Sequence, residues 1–132
     1  MAGTLATGVT IVTTGSKGEE HGCTASAVTS LSLAPPLMLV CLDRLAKTHV
    51  KMIEAGKFAI NILAAGCEGE RLSRLFAGKA EDKFRGIASR RNLTGAPILC
   101  NASAWLECEL ERTYEGGDHT IFIGRVVAAD LT

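Results

Sequence analysis

Residues 22–42 read GCTASAVTSLSLAPPLMLVCL, 21 positions without a charged side chain. The length is that of a membrane-spanning helix, but Pro35-Pro36 interrupts the run, and Thr24, Ser26, Thr29, Ser30 and Ser32 load it with hydroxyls. It reads instead as two strands. The first runs from Cys23 to Ser32. The second, Pro36 to Asp43 (PLMLVCLD), is apolar almost throughout and is expected to be buried on both faces.

Working outward, Gly8 to Thr14 (GVTIVTT) is β-branched and alternating, a strand that leads into a polar hairpin loop from Gly15 to Gly22. Downstream, Ala46, Val50 and Ile53 recur at helical spacing before Gly56, which predicts a short helix with those three on its apolar stripe. Phe58 to Leu63 (FAINIL) is a further strand. Leu72, Leu75 and Phe76, stopped by Gly78, predict a second short helix. A charged connector from Lys79 to Gly95 follows. In Ala104 to Arg112, alternation sets Ala104, Leu106, Cys108 and Leu110 against Trp105, Glu107, Glu109 and Glu111, the pattern of a half-solvated strand. Gly116-Gly117-Asp118 then turns the chain into a last strand from Thr120 to Asp130. Strands in this order with two helical inserts predict a mainly β fold with short helices, an antiparallel barrel rather than alternating βαβ units.

The whole chain of 132 residues is the size of one domain, and 47% apolar with 21% charged side chains is a globular composition. Fourteen basic residues balance 14 acidic ones, and only 5% are aromatic. Neither the basic excess nor the stacking platforms of a nucleic-acid binder are present. The first charge is Lys17, so no basic signal region precedes an apolar run, and no membrane association is expected. Cys23, Cys41, Cys67, Cys100 and Cys108 form no Cys-x-x-Cys pair and read as reduced thiols of a cytoplasmic protein. The three histidines have no metal-ligand spacing, so no metal is expected. Phosphate-loop, dinucleotide and nucleophile-elbow motifs are absent as well. What remains is chemistry performed by a bound organic cofactor.

Three places could hold one. With period two, Thr24, Ser26, Ser30 and Ser32 share a face of small hydroxyls, suited to a flat ligand or equally to a tightly packed strand or subunit contact. In Leu45-Ala46-Lys47-Thr48-His49, Lys47 and Thr48 fall in the first turn of the predicted helix, where N–H groups, an ammonium and a hydroxyl suit a phosphate or simply meet water. In Gly117-Asp118-His119-Thr120, His119 sits at a turn, as a nucleotide contact or a structural histidine.

Taken in order, several segments resemble one family. They are Leu5 to Thr14 (LATGVTIVTT), Gly22 to Ser32, Pro35 to Cys41, Phe58 to Leu63, Phe76-Ala77-Gly78, Asp82-Lys83-Phe84, Gly95 to Leu99 (GAPIL) and Gly117 to Val126 (GDHTIFIGRV). The chain is thereby similar to the flavin reductase domain family with the FMN-binding split-barrel fold. It most resembles the reductase components of two-component flavin-dependent monooxygenases. The resemblance implies one domain over residues 1–132, short at both ends relative to the family, forming a homodimeric antiparallel split β-barrel.

It implies FMN or FAD as cofactor and NADH or NADPH as co-substrate, with reduced flavin passed to a partner oxygenase. By this resemblance Thr24, Ala25, Ser26, Ala27, Val28 and Ser30 line the isoalloxazine, and Leu45, Ala46, Lys47, Thr48 and Lys51 hold the phosphate end. Lys83 and Phe84 approach the cofactor, and His119 lies near the nicotinamide. No side chain is expected to be catalytic in its own right, because hydride transfer needs the two rings stacked about 3–3.5 Å apart rather than an acid or base. The alternative expectation is a flavin-binding electron-transfer or storage protein without NAD(P)H turnover. A third is a structural barrel whose small-residue face is only a subunit contact.

Overall fold

The structure is a computed structural model and describes residues 8–16, 18–25, 27–64, 66–78 and 83–131. The described elements are β1 (Gly8–Thr14), β2 (His21–Thr24), β3 (Ala27–Leu33), β4 (Pro36–Asp43), α1 (Lys47–Ala55), β5 (Lys57–Ala64), α2 (Cys67–Ala77), β6 (Ser89–Arg90), β7 (Ile98–Leu99), β8 (Ala104–Gly116) and β9 (His119–Leu131). Seven strands form one antiparallel sheet in the order β2-β1-β5-β8-β9-β4-β3, and β6 pairs with β7 separately.

Every strand of that sheet sends a side chain into a single buried cluster: Val12, Cys23, Val28, Val40 and Leu42, Phe58 and Ile60, Cys108, and Phe122, with Met52 added from α1. A sheet whose strands all reach one core is curled around it. This is the antiparallel barrel expected from the sequence. Its two edge strands, β2 and β3, are consecutive in the chain, yet β2 pairs with β1 and β3 with β4. The barrel is split between them.

That split corrects the reading of Cys23 to Ser32 as one strand. β2 ends at Thr24 and β3 begins at Ala27, so Thr24 and the hydroxyls of β3 belong to opposite edges of the sheet. β4 is also not buried on both faces. Val40 and Leu42 point inward at 0% and 1% exposure, while Leu37, Met38, Leu39 and Cys41 are half-buried on or near the edge.

Both helices lie where the sequence puts them. Gly56, with φ of 70°, caps α1 in the left-handed conformation that glycine adopts without strain, and its N–H donates to the Met52 carbonyl. The buried face of α1 is Thr48 and Met52, however, whereas Val50 and Ile53 are each 51% exposed. α2 follows its predicted stripe: Leu72 and Phe76 are fully buried with Ile11, Leu63 and Leu99. Each such side chain contributes about 1.5–3 kcal/mol by leaving water. Among the described residues, no helix is long and apolar enough to cross a membrane.

β8 departs most from its pattern. Trp105 and Glu107, read as solvent-facing, are 5% and 0% exposed. The connector folds back over them, and Trp105 packs with Ala59, Ala96 and Ile98. The Glu107 carboxylate accepts hydrogen bonds from Asn92 Nδ2, the N–H groups of Leu93 and Thr94, and Thr94 Oγ1. Beyond Glu107 the register shifts twice and the end of β8, residues 111–116, is exposed, while its β9 partners Thr120, Phe122 and Ile123 stay buried.

Candidate functional site

The site is built from three neighbouring pieces of chain. β2 is short and carries Gly22, where a Cβ would stand 2.8 Å from the Phe76 ring, so only glycine lets α2 lie this close. At the corner between β4 and α1, Asp43 folds the backbone: its Oδ1 accepts from the Leu45 N–H at 2.8 Å, and its carbonyl accepts from the Ala46 N–H at 3.1 Å. Ala46 then starts α1 with no side-chain cap, and the first turn holds no acidic residue. Lys83 comes from the connector, its Nζ donating to the Phe76 carbonyl at 2.8 Å and the Gly22 carbonyl at 3.2 Å. The ammonium thereby caps the negative end of α2 and ties it to β2.

Between them lies a cavity of about 510 Å³. Its walls are residues 20–24 of β2 and the preceding loop, Leu42 and Asp43 of β4, residues 45–48 of the corner, residues 76–78 at the end of α2, and Lys83. The volume falls in the range of small-molecule sites.

The wall carries two ammonium groups, Lys47 and Lys83, and two carboxylates, Glu20 and Asp43, both of which have partners within the chain. Burial lowers the pKa of His21 and Lys51 pushes it further down; Glu19 pulls the other way, and Lys47 and Lys83 add smaller downward pushes that leave the group below its ordinary value. Burial likewise holds Lys83 below the ordinary lysine value, with Cys23 partly offsetting this and Lys47 adding to it. The Cys23 thiol is raised by burial despite its hydrogen bond with Thr48 and the nearby Lys83 charge. Of the wall carboxylates, Glu20 pairs with Arg91 at 2.8 Å and Asp43 holds the corner. Burial raises Glu20, but the N–H groups of Glu20 and Gly18 and the Arg91 side chain outweigh it and leave the group below its ordinary value. Arg91 also bonds the carbonyls of Gly15 and Gly95, so the loop before β2 is fastened to the connector.

Of the residues singled out in the sequence, Thr24, Leu45, Ala46, Lys47, Thr48 and Lys83 line this one cavity. Lys51 stands one helical turn beyond Lys47, pairs with Glu54 at 3.5 Å, and adds its charge to the field at His21. Thr24, although in the wall, donates its hydroxyl to the Ser73 carbonyl at 2.8 Å, so it is not the spare donor its position implied. The remaining residues do not form the wall. Ala25 packs against the barrel core, and Ser26 lies outside the described residues. Val28 turns its side chain into the core at 7% exposure, while Ala27 and Ser30 are exposed on the β3 edge. Phe84 packs edge-on against Phe76 with centroids 5.2 Å apart, behind the wall rather than in it. His119 pairs across the ladder with Asp43 and bonds Asp118 at 2.8 Å. The turn it belongs to is pinned to the corner by the Arg44 N–H on the Asp118 carbonyl and by His49 Nε2 with Thr120 Oγ1.

Sequence reasoning missed His21 and the end of α2. His21 sits at the close of a polar loop, and nothing local signals that three lysines from two distant segments surround it. Phe76-Ala77-Gly78 was legible as a helix end but not as a cavity wall.

Residues 1–132 match the family model described as the flavin reductase like domain. The chain belongs to that family. A probable flavin reductase of Rhizobium meliloti (strain 1021) is 43% identical over 127 residues, covering 96% of this chain and 40% of that protein. The reductase component of a 4-nitrophenol 4-monooxygenase/4-nitrocatechol 2-monooxygenase from Rhodococcus opacus is 43% identical over 129 residues, covering 98% of this chain and 68% of its own length. Among solved structures, the NADH:FAD oxidoreductase SgcE6 of Streptomyces globisporus C-1027, in complex with NAD and FAD fragments, superposes with a TM-score of 0.85. It is 41% identical and covers 96% of this chain and 75% of that one. The flavin reductase domain described here thus spans less than half of the Rhizobium relative and about two thirds to three quarters of the other two.

The residues present fit a flavin nucleotide at its phosphate end. An uncapped helix start, Lys47 and a cationic field converge on one corner, the donor set an anionic group needs. Leu42, Leu45 and Phe76 give the same cavity an apolar side.

Proposed function

We propose that this domain is an NAD(P)H-dependent flavin reductase that transfers hydride from nicotinamide to FMN or FAD and supplies reduced flavin to a partner oxygenase. The observation that carries the reading is the cationic corner of α1, opening on an apolar-walled cavity in a chain of the flavin reductase family. The relatives support it: one is named for NADH and FAD and another as a monooxygenase reductase component.

When bound, the flavin supplies the hydride-accepting chemistry, so the protein's own task is positioning. Lys47 and the N–H groups opening α1 bind the phosphate. Thr48, 3% exposed and bonded to Cys23, locks that turn against β2. Lys83 keeps β2 and α2 at the separation that leaves the cavity open. His119, paired across the ladder with Asp43, is assigned to the nicotinamide nucleotide. Ala25, Ala27, Ser30 and the backbone of Val28 run along the split of the barrel, where small side chains leave room for the flavin ring; Ser26 is assigned to the same stretch.

Exposed apolar side chains support a homodimer. Leu31 and Leu33 on the β3 edge are 51% and 89% exposed, and Leu45, Val50 and Ile53 are exposed around α1. The Leu33→Glu variant is expected to elute at half the wild-type mass. Reduced thiols at Cys23, Cys41, Cys100 and Cys108, each free of a disulfide, fit a cytoplasmic setting.

Stopped-flow or steady-state oxidation of NADH and NADPH, with and without added FMN and FAD, tests the activity. Oxidation is expected only when a flavin is present. Tight flavin binding with neither nicotinamide oxidised would leave the electron-carrier or storage reading instead.

A further inference from the structure

We propose that His21 is a proton-linked anchor for the phosphate end of the flavin: it takes up a proton from solvent as that group settles against Lys47 and the start of α1. This rests on the flavin reading of the cavity and adds a residue to it.

The geometry places His21 in the same wall as Lys47 and Lys83, half-buried at the first position of β2. The groups facing it come from every side. α1 brings Lys47 and Lys51, and the connector brings Lys83. Its own loop brings Glu19 and Glu20, with Glu20 already paired to Arg91. β4 brings Asp43 across the cavity, β2 brings Cys23, the ladder partner on β1 is Thr14, and α2 contributes Phe76 and Ala77.

Without an anion, the imidazolium would sit among three ammonium groups in a partly dry place, and the Glu19 carboxylate offsets only part of this. The balance favours the neutral ring. A phosphate carries between one and two negative charges near neutrality and reverses that local field. The ring then gains a reason to charge, and with a proton it becomes another donor to the phosphate oxygens. Binding is thereby coupled to proton uptake, and affinity must fall as pH rises through the window between the free and bound pKa values of His21.

FAD is the suitable probe, because its pyrophosphate does not titrate across that window whereas the monoester of FMN does. Calorimetric titration of FAD in buffers of different ionisation enthalpy reads the protons taken up, and side-chain NMR of the three histidines reads which ring takes them. The expected result is an upward move of the His21 resonance pKa on adding FAD, with affinity falling about tenfold between pH 5.5 and 8. In His21→Gln, proton uptake should vanish and the affinity profile should flatten. FAD binding with an unmoved His21 resonance, or proton uptake that persists in His21→Gln, would overturn the proposal and leave the flavin site standing. No FAD binding at any pH would overturn both.

Discussion

Two charged clusters in this domain are built on opposite plans. At Glu107, a fully buried carboxylate is surrounded by donors from residues 92–94, and all of them come from the chain itself. Around His21, three ammonium groups bear on one imidazole, and the carboxylates of the wall are engaged with Arg91 and with the turn at Leu45. A charge answered from within is scaffold, since burial without partners costs several kcal/mol. Like charges gathered in an open cavity are tolerated because water screens them, and they gain most from an anion arriving from outside.

The largest expected effect breaks the first cluster. Glu107→Ala leaves several buried donors without an acceptor and should lower stability by about 3 kcal/mol in urea unfolding. The acid dependence has a defined sign. Burial raises the pKa of Glu107, but bonds from Thr94, Asn92 and Leu93 outweigh it and leave the group below its ordinary value. Its contribution is therefore present above the unfolded glutamate pKa of about 4.3 and lost as pH falls through the lower folded value. Glu107→Gln should remove that portion of the acid sensitivity.

The next effect is on the cavity alone. Lys47→Ala should weaken FMN and FAD binding about 10- to 100-fold, read by quenching of flavin fluorescence, and should leave the thermal midpoint nearly unchanged. Raising salt should reduce the wild-type affinity and matter less in the variant. A large loss of stability in Lys47→Ala would erase the contrast between the two clusters. The smallest effect concerns the corner's neighbour: His119→Ala should raise KM for NADH about 3- to 10-fold with flavin affinity intact, in line with the loss of one peripheral hydrogen bond.

The barrel was legible because its strands are written locally. GVTIVTT, FAINIL and the paired glycines before β9 each carry their own strand or turn signal, and the same is true of Gly56 at the end of α1. Where the reading failed, a distant segment decided the outcome. Alternation in β8 is genuine, but the loop at residues 92–96 covers its polar side, and no local pattern announces a lid. Val50 and Ile53 have helical spacing yet face outward, since the barrel offers its inner surface to Thr48 and Met52. The corner at the start of α1 was half legible: Lys47 and Thr48 are visible as a helix start, whereas Lys83 and His21 join them only through folding. The hydroxyl face was not one face, because the chain changes edges within it.

The central claim is that the flavin's phosphate end binds in the cavity between β2, the start of α1 and the end of α2. Backbone amide chemical-shift mapping with FMN tests it most directly. The account predicts the largest shifts at residues 21–24, 45–48 and 83, with residues 92–94 and 107 unmoved. Shifts concentrated on the β8–β9 arm, with residues 45–48 silent, would contradict it.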